Sequence, residues 1–233
     1  MPLPRRRVTA ELSPAPRVAV ALAVLALVTA WAPAARAQLH WDASARVGVA
    51  KRHLSDRSGG DASFGPAAEL MAHIAVFPLL RAGLYVDHDT SPQGTDAPAR
   101  RFFGGGARVR IFSPWPRGKA RVWLFLRGGA LLAYAPSYTT TLEIQDTPQS
   151  APVRRQVEVG SASGRALDLG GGLGASYTLW GPWQLSTELG ARAPLALAGD
   201  LYDGRSLSGG GVLSPAGVDR FVTTLTVGIT YDP

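Results

Sequence analysis

The chain has 233 residues, a formal net charge of +7, 46% hydrophobic residues and no cysteine. It is long enough for one large domain or two small ones, and it has no disulfide or cysteine-metal framework to secure it. Much of the positive charge lies in the first residues, so it is not the footprint of a nucleic-acid-binding surface.

Those first residues form an export signal. Arg5, Arg6, Arg7 and Arg17 precede the apolar run VAVALAVLALV at 18–28, and Ala35-Arg36-Ala37 follows as an A-x-A cleavage site. The run is too short for a transmembrane helix, which needs about 20 apolar residues. Cleavage after Ala37 removes five Arg and one Glu, leaving 196 residues and a charge of +3. Residues 1–37 are therefore read as a cleaved signal peptide and 38–233 as one domain.

The mature part shows period-two alternation, the mark of strands with two unlike faces. In LHWDASARVGVA, Leu39, Trp41, Ala43, Ala45, Val47 and Val49 oppose His40, Asp42, Ser44, Arg46 and Gly48. A second strand at 64–77 sets Phe64, Ala68, Leu70, Ala72, Ile74 and Val76 against Glu69 and His73. The third opposes Leu80, Ala82, Leu84 and Val86 to Arg81, Gly83, Tyr85 and Asp87. The fourth, RFFGGGARVRIF, opposes Phe103, Ala107, Val109 and Ile111 to Gly104, Gly106, Arg108 and Arg110. The fifth, RVWLFLRGGALLAY, is mixed, because Trp123 and Phe125 share the face of Arg121 and Arg127. The sixth, RALDLGGGLGASYTLW, carries Asp168, Gly170, Gly172 and Gly174 on its polar face, and the seventh, QLSTELGARAPLAL, carries Glu188, Gly190 and Arg192. The eighth, RFVTTLTVGITYDP, alternates to the C-terminus.

The connections alternate in length: long (52–63), short (FPLL), long (90–100), short (SPWPRGK), very long (135–164), short (WGPW), long (198–218). An up-and-down outer-membrane barrel has short periplasmic turns, longer outside loops and periplasmic termini. Trp41, Trp115, Trp180, Trp183 and Tyr231 all fall at the short-turn ends, where an amphipathic ring suits a membrane–water interface. The fold expected is all-β: a closed, antiparallel, up-and-down, eight-stranded transmembrane barrel, its apolar face toward lipid. Closure removes the sheet edges that hydrocarbon cannot solvate.

Eight strands leave an interior only wide enough for side chains. The inward set carries both signs: Asp42, Glu69, Asp87, Asp168 and Glu188 with Arg46, Arg81, Arg108, Arg110, Arg127 and Arg192. Buried charges must pair, so a packed polar plug is expected, with the inner glycines making room for long side chains.

These features resemble the small eight-stranded outer-membrane proteins of Gram-negative bacteria, of the OmpA transmembrane domain, OmpX/Ail and OmpW types. The terminal assembly signal of such proteins is similar to Thr226, Gly228 and Tyr231, with Pro233 where a last aromatic would stand. The resemblance implies delivery by periplasmic chaperones, insertion by the barrel-assembly machinery, and a monomer among outer-membrane lipid and lipopolysaccharide.

Enzyme chemistry finds little footing. Some such barrels are lipid A-modifying enzymes with a His–Ser pair near the outer rim, but His53-Leu54-Ser55 is read as loop, where nothing would orient it. Asp87-His88-Asp89 splits across two strand faces, and Asp56 and Asp61 fit no calcium loop. GGGLGA at 170–175 lacks the helix a dinucleotide site needs. No catalytic, cofactor or metal residue is assigned. In the 135–164 loop, TTTLEI and RRQVEV can pair as a protruding hairpin and bind a surface ligand through its edge. The reading is a non-enzymatic barrel for envelope structure and surface contact. The alternatives are a narrow transport barrel for small or apolar solutes, a lipid A-modifying enzyme, or a soluble periplasmic lipocalin-like binder.

Overall fold

The computed structural model describes residues 40–55, 63–92, 97–114, 118–144, 153–208, 212–213 and 218–233. The signal-peptide reading of 1–37, Trp115, and Asp56 and Asp61 lie outside them. Twelve strands are present among the described residues: β1 Trp41–Ser55, β2 Ser63–Phe77, β3 Leu80–Ser91, β4 Arg100–Phe112, β5 Ala120–Ala135, β6 Tyr138–Ile144, β7 Val153–Val159, β8 Ala162–Trp180, β9 Trp183–Ala198, β10 Arg205–Ser206, β11 Val212–Leu213 and β12 Val218–Tyr231. One helical turn, α1 Asp200–Asp203, precedes β10.

Eight strands close into a barrel in the order β1-β12-β9-β8-β5-β4-β3-β2. Every neighbouring pair is antiparallel, and β12 returns to β1 in a register running from Ala43↔Tyr231 to Ser55↔Val218. All eight alternating segments are barrel strands. They are longer than the sequence boundaries: β1 adds Lys51 to Ser55, and β8 starts at Ala162. The very long connection holds β6 and β7, paired from Tyr138↔Val159 to Ile144↔Val153, so the two weaker runs form the hairpin their spacing allowed. The last long connection contains α1 and the β10–β11 pair, which alternation had no means to indicate.

The apolar face is on the outside. Val47, Leu84, Leu126 and Leu173 are 67%, 69%, 65% and 58% exposed, whereas Asp42, Arg108 and Asp168 are 0–1% exposed. That inversion excludes an ordinary soluble core, because so large a contiguous apolar surface is not left to water. It is the arrangement of a transmembrane barrel, whose outer face meets hydrocarbon and whose backbone groups all pair within the ring.

Candidate functional site: the barrel interior and its cap

The inward charges form one unbroken alternation of acid and base along the barrel. At the turn end Asp232 accepts from Arg121 at 2.8 Å and from Arg81 at 3.1 Å. Arg81 also donates to Asp42 at 2.6 Å, and Asp42 takes Arg110 at 3.0 Å with His73 Nδ1 at 2.9 Å. Arg110 stands 3.4 Å from Glu188, which accepts from Arg108 at 2.5 Å and pairs with Arg46. Arg108 continues to Glu69 at 3.1 Å, and Glu69 accepts from Arg127 at 3.3 Å. Arg127 reaches Asp87 at 2.8 Å and Asp168 at 3.1 Å, and Arg192 reaches the same two at 2.7 and 3.2 Å. Asp89 closes the series between Arg192 and Arg52, the latter at 2.7 Å.

The eleven charged residues expected inside therefore stand together in one network. Five of its members stand outside the inward set expected from the sequence, among them Arg121, which shares the face of Arg127. Arg52 shares the parity of Asp42 and Arg46 but lay beyond the assumed end of the first strand. Asp232 shares the parity of Thr226 and Gly228, and Asp89 that of Asp87. His73, on the face of Glu69, was seen but not assigned a partner.

Aromatic rings explain the mixed fifth strand. Trp123 and Phe125 point inward, 4% and 5% exposed, because guanidinium groups need their faces. Arg108 lies 3.9 Å from the Phe125 centroid, Arg127 3.8 Å from Tyr85, Arg52 3.2 Å from Phe102 and Arg110 5.1 Å from Trp123. Each ring covers a guanidinium face while its edge N–H groups engage carboxylates, and desolvated cation–π contacts contribute about 2 kcal/mol. Trp123 Nε1 also donates to Glu188 at 2.8 Å.

The inner glycines are spaces occupied by these groups. A Cβ on Gly174 would lie 2.2 Å from the Trp123 ring, one on Gly104 1.9 Å from Asp87 Oδ1, and one on Gly172 2.9 Å from Phe125. Among the described residues, the voids beside these groups are small. Two voids around Glu69, Arg127 and Arg192 hold about 10 and 20 Å³, room for a single water at most.

Toward the long-loop end the lining of β4, β5 and β8 turns apolar beside the buried Arg52, Asp89, Ser91 and Arg100, which corrects the expectation of a polar face throughout. Phe102, Leu131, Ala133, Ala135, Ala162 and Ala166 form a cluster closed by Leu201 and Tyr202 of α1. The lining alternates as a strand does, but its closing residues come from a loop 35 or more positions along the chain, beyond any local pattern.

On the outer face at the turn end, Tyr231 packs 5.5 Å from Trp41 and 4.9 Å from Trp183, and Trp180 is 67% exposed beside them. At the other end His53 is in β1 and not in a loop: it stacks on Phe221 at 4.0 Å with Nε2 3.3 Å from Thr223 Oγ1. His88 faces outward on Phe103 at 4.4 Å, while Asp87 and Asp89 face inward. Among the described residues no carboxylate touches His53 or His88, and no group of His, Asp and Glu has the arrangement of a metal site.

No family model matches the chain, and no curated protein matches it by sequence. Solved structures do. The chain is similar to neisserial surface protein A at 13% identity, over 83% of this chain and 97% of that one, with a TM-score of 0.53. It also aligns with a major outer-membrane protein of Thermus thermophilus (16% identity, 82% and 99% covered, TM-score 0.47) and with the attachment invasion locus protein Ail of Yersinia pestis (10%, 82% and 98%, 0.42). The likeness to the neisserial protein is one of fold: a small outer-membrane β-barrel.

Proposed function

We propose that this protein is a monomeric, non-enzymatic β-barrel of a Gram-negative outer membrane, which stabilises the envelope and meets the exterior through its long loops. The observation that carries this reading is the interior. Among the described residues, a barrel filled from Asp232 to Arg52 by paired charges and aromatic rings leaves neither a lumen for solutes nor an inner pocket for a substrate, so the loops are the part free to act.

Two outer belts support the orientation with periplasmic termini. Lys51, Arg101 and Arg165 point outward at the long-loop end, suited to the phosphates of lipopolysaccharide in the outer leaflet. The Trp41–Tyr231–Trp183 cluster, where β1 begins and β12 ends, would sit at the opposite, periplasmic interface. Assembly by the barrel machinery after chaperone escort fits the last strand: Gly228 has backbone 2.0 Å from where a Cβ would stand, and Tyr231 lies in the aromatic cluster. The β6–β7 hairpin is the candidate surface for a ligand of the exterior. Export would use residues 1–37.

Heat-modifiability on SDS gels of the outer-membrane fraction, followed by planar-bilayer recording, tests the reading. A boiling-dependent shift without steady unitary currents is the expected result. Steady currents would favour the transport barrel, and an unshifted, soluble periplasmic protein would overturn the membrane assignment.

A further inference from the structure

The connection from β9 to β12 turns back into the barrel mouth. Near its end β9 carries Ala196 at φ 51°, and α1 is bracketed by Gly199 at φ 104° and Gly204 at φ 132°. The last two are backbone conformations that only glycine adopts without strain, so a glycine stands on each side of the helical turn. Between them Leu201 is 2% and Tyr202 9% exposed, set among Phe102, Leu131, Ala133 and Ala135. Gly164 is the seat of the tyrosine ring: a Cβ there would lie 2.5 Å from Tyr202 Cε2.

Two side chains, Arg205 and Ser208, tie this segment to the base of the β6–β7 hairpin, the Ser208 hydroxyl accepting from Glu158 N at 2.8 Å. Arg205 donates from Nε and Nη2 to the Gly160 carbonyl at 3.0 and 2.6 Å, and from Nη2 to the Pro136 carbonyl at 2.6 Å. Its guanidinium lies 5.1 Å from the Tyr138 centroid. Residues 206–208 then run along β7: Gly160 N donates to Ser206 O, Ser208 N to Glu158 O, and Leu207 bridges Val159. Among the described residues no carboxylate pairs with Arg205, and burial draws its pKa below the ordinary arginine value. The cation is thus held by two carbonyls and a ring, in contrast to the ion-paired interior below it.

We propose that residues 199–208 are a hinged plug of the barrel mouth, with Leu201 and Tyr202 as the stopper, Gly199 and Gly204 as pivots and Arg205 as the latch that fastens it to the base of the β6–β7 hairpin. Closed, the plug seals the apolar upper interior. Released, it re-solvates the Arg205 guanidinium and opens the mouth, leaving in place the interior charge network, whose ion pairs join other residues.

The chain has no cysteine, so one introduced thiol reports the seal. Ala133→Cys places it on the cluster under the stopper, where Ala133 is 3% exposed. The folded protein in detergent is treated with a charged, water-soluble thiosulfonate. Labelling of the Ala133→Cys thiol should be slow with Arg205 present and about tenfold or more faster with Arg205→Ala or Tyr202→Ala, as expected for a locally opening segment. The control, Thr141→Cys on the exposed hairpin, should react at one rate in every background. Unboiled gel mobility shows that each barrel is intact, and if Arg205→Ala fails to fold, Tyr202→Ala decides. The proposal is overturned if the thiol at position 133 reacts as fast as the one at position 141 while Arg205 is present. It is equally overturned if neither substitution changes the rate.

Discussion

Glu188→Gln is the substitution that most directly probes the interior. Glu188 is 3% exposed and is the acid shared by three guanidinium groups: Arg46, Arg108 at 2.5 Å and Arg110 at 3.4 Å, with the Trp123 N–H at 2.8 Å. Glutamine keeps the shape and one acceptor oxygen, but it leaves the three cations facing one another. Removing one partner from a buried pair costs about 3–5 kcal/mol, because the remaining charge stays desolvated. Glutamine should fall at the lower end, about 3 kcal/mol, and Glu188→Ala, which adds a void, at the upper end. The assay is urea-titrated unfolding in phosphatidylcholine vesicles, with the folded fraction read from unboiled gel mobility. The ion-pair partner of Arg46 is Glu188. Arg46→Met together with Glu188→Gln should therefore cost less than the two changes summed, by about 1–3 kcal/mol. A loss below about 1 kcal/mol for Glu188→Gln, or strict additivity in the cycle, would refute the view that a connected charge network supports the barrel.

Three further outcomes follow from the same structure. Leu189→Arg places a cation on the outer face at a site 57% exposed, and it should cost about 2–4 kcal/mol in vesicle unfolding if that face meets hydrocarbon. Gly174→Val drives a side chain into the Trp123 ring 2.2 Å away and should cost about 1–3 kcal/mol, with a change in tryptophan emission as the indole leaves Glu188. Tyr231→Ala should lower the heat-modifiable fraction formed in cells while changing spontaneous folding into vesicles much less, because the aromatic is proposed to be read by assembly machinery. Equal effects in both settings would assign Tyr231 a packing role only.

Much of this protein was legible in one dimension because a strand writes its two environments on alternate residues. In β1, Asp42, Ser44 and Arg46 declare one face and Trp41, Ala45 and Val47 the other. The alternation of short and long connections then chose between a lipid-facing and a core-facing assignment. The same parity placed eleven charged residues inside, since the pleat points Asp87 and Glu188 inward whatever their partners. Partner choice was not legible. That Arg192 meets Asp87, Asp168 and Asp89 depends on barrel closure and strand stagger, which bring β9, β3 and β8 to a common height.

The inward turn of Trp123 and Phe125 was readable as position but not as reason, because the cation–π contacts with Arg108 and Arg110 are made from the neighbouring strand β4 and leave no mark on the β5 sequence. The cap lay furthest from view. Leu201 and Tyr202 sit in a segment without periodicity, and only the finished mouth of the barrel provides the apolar seat at Ala133, Ala162 and Gly164. Local backbone chemistry thus determined the strands, their faces and the kind of fold. Contacts between residues far apart in sequence decided which charges pair and what closes the mouth, because those distances exist only after the ring has closed.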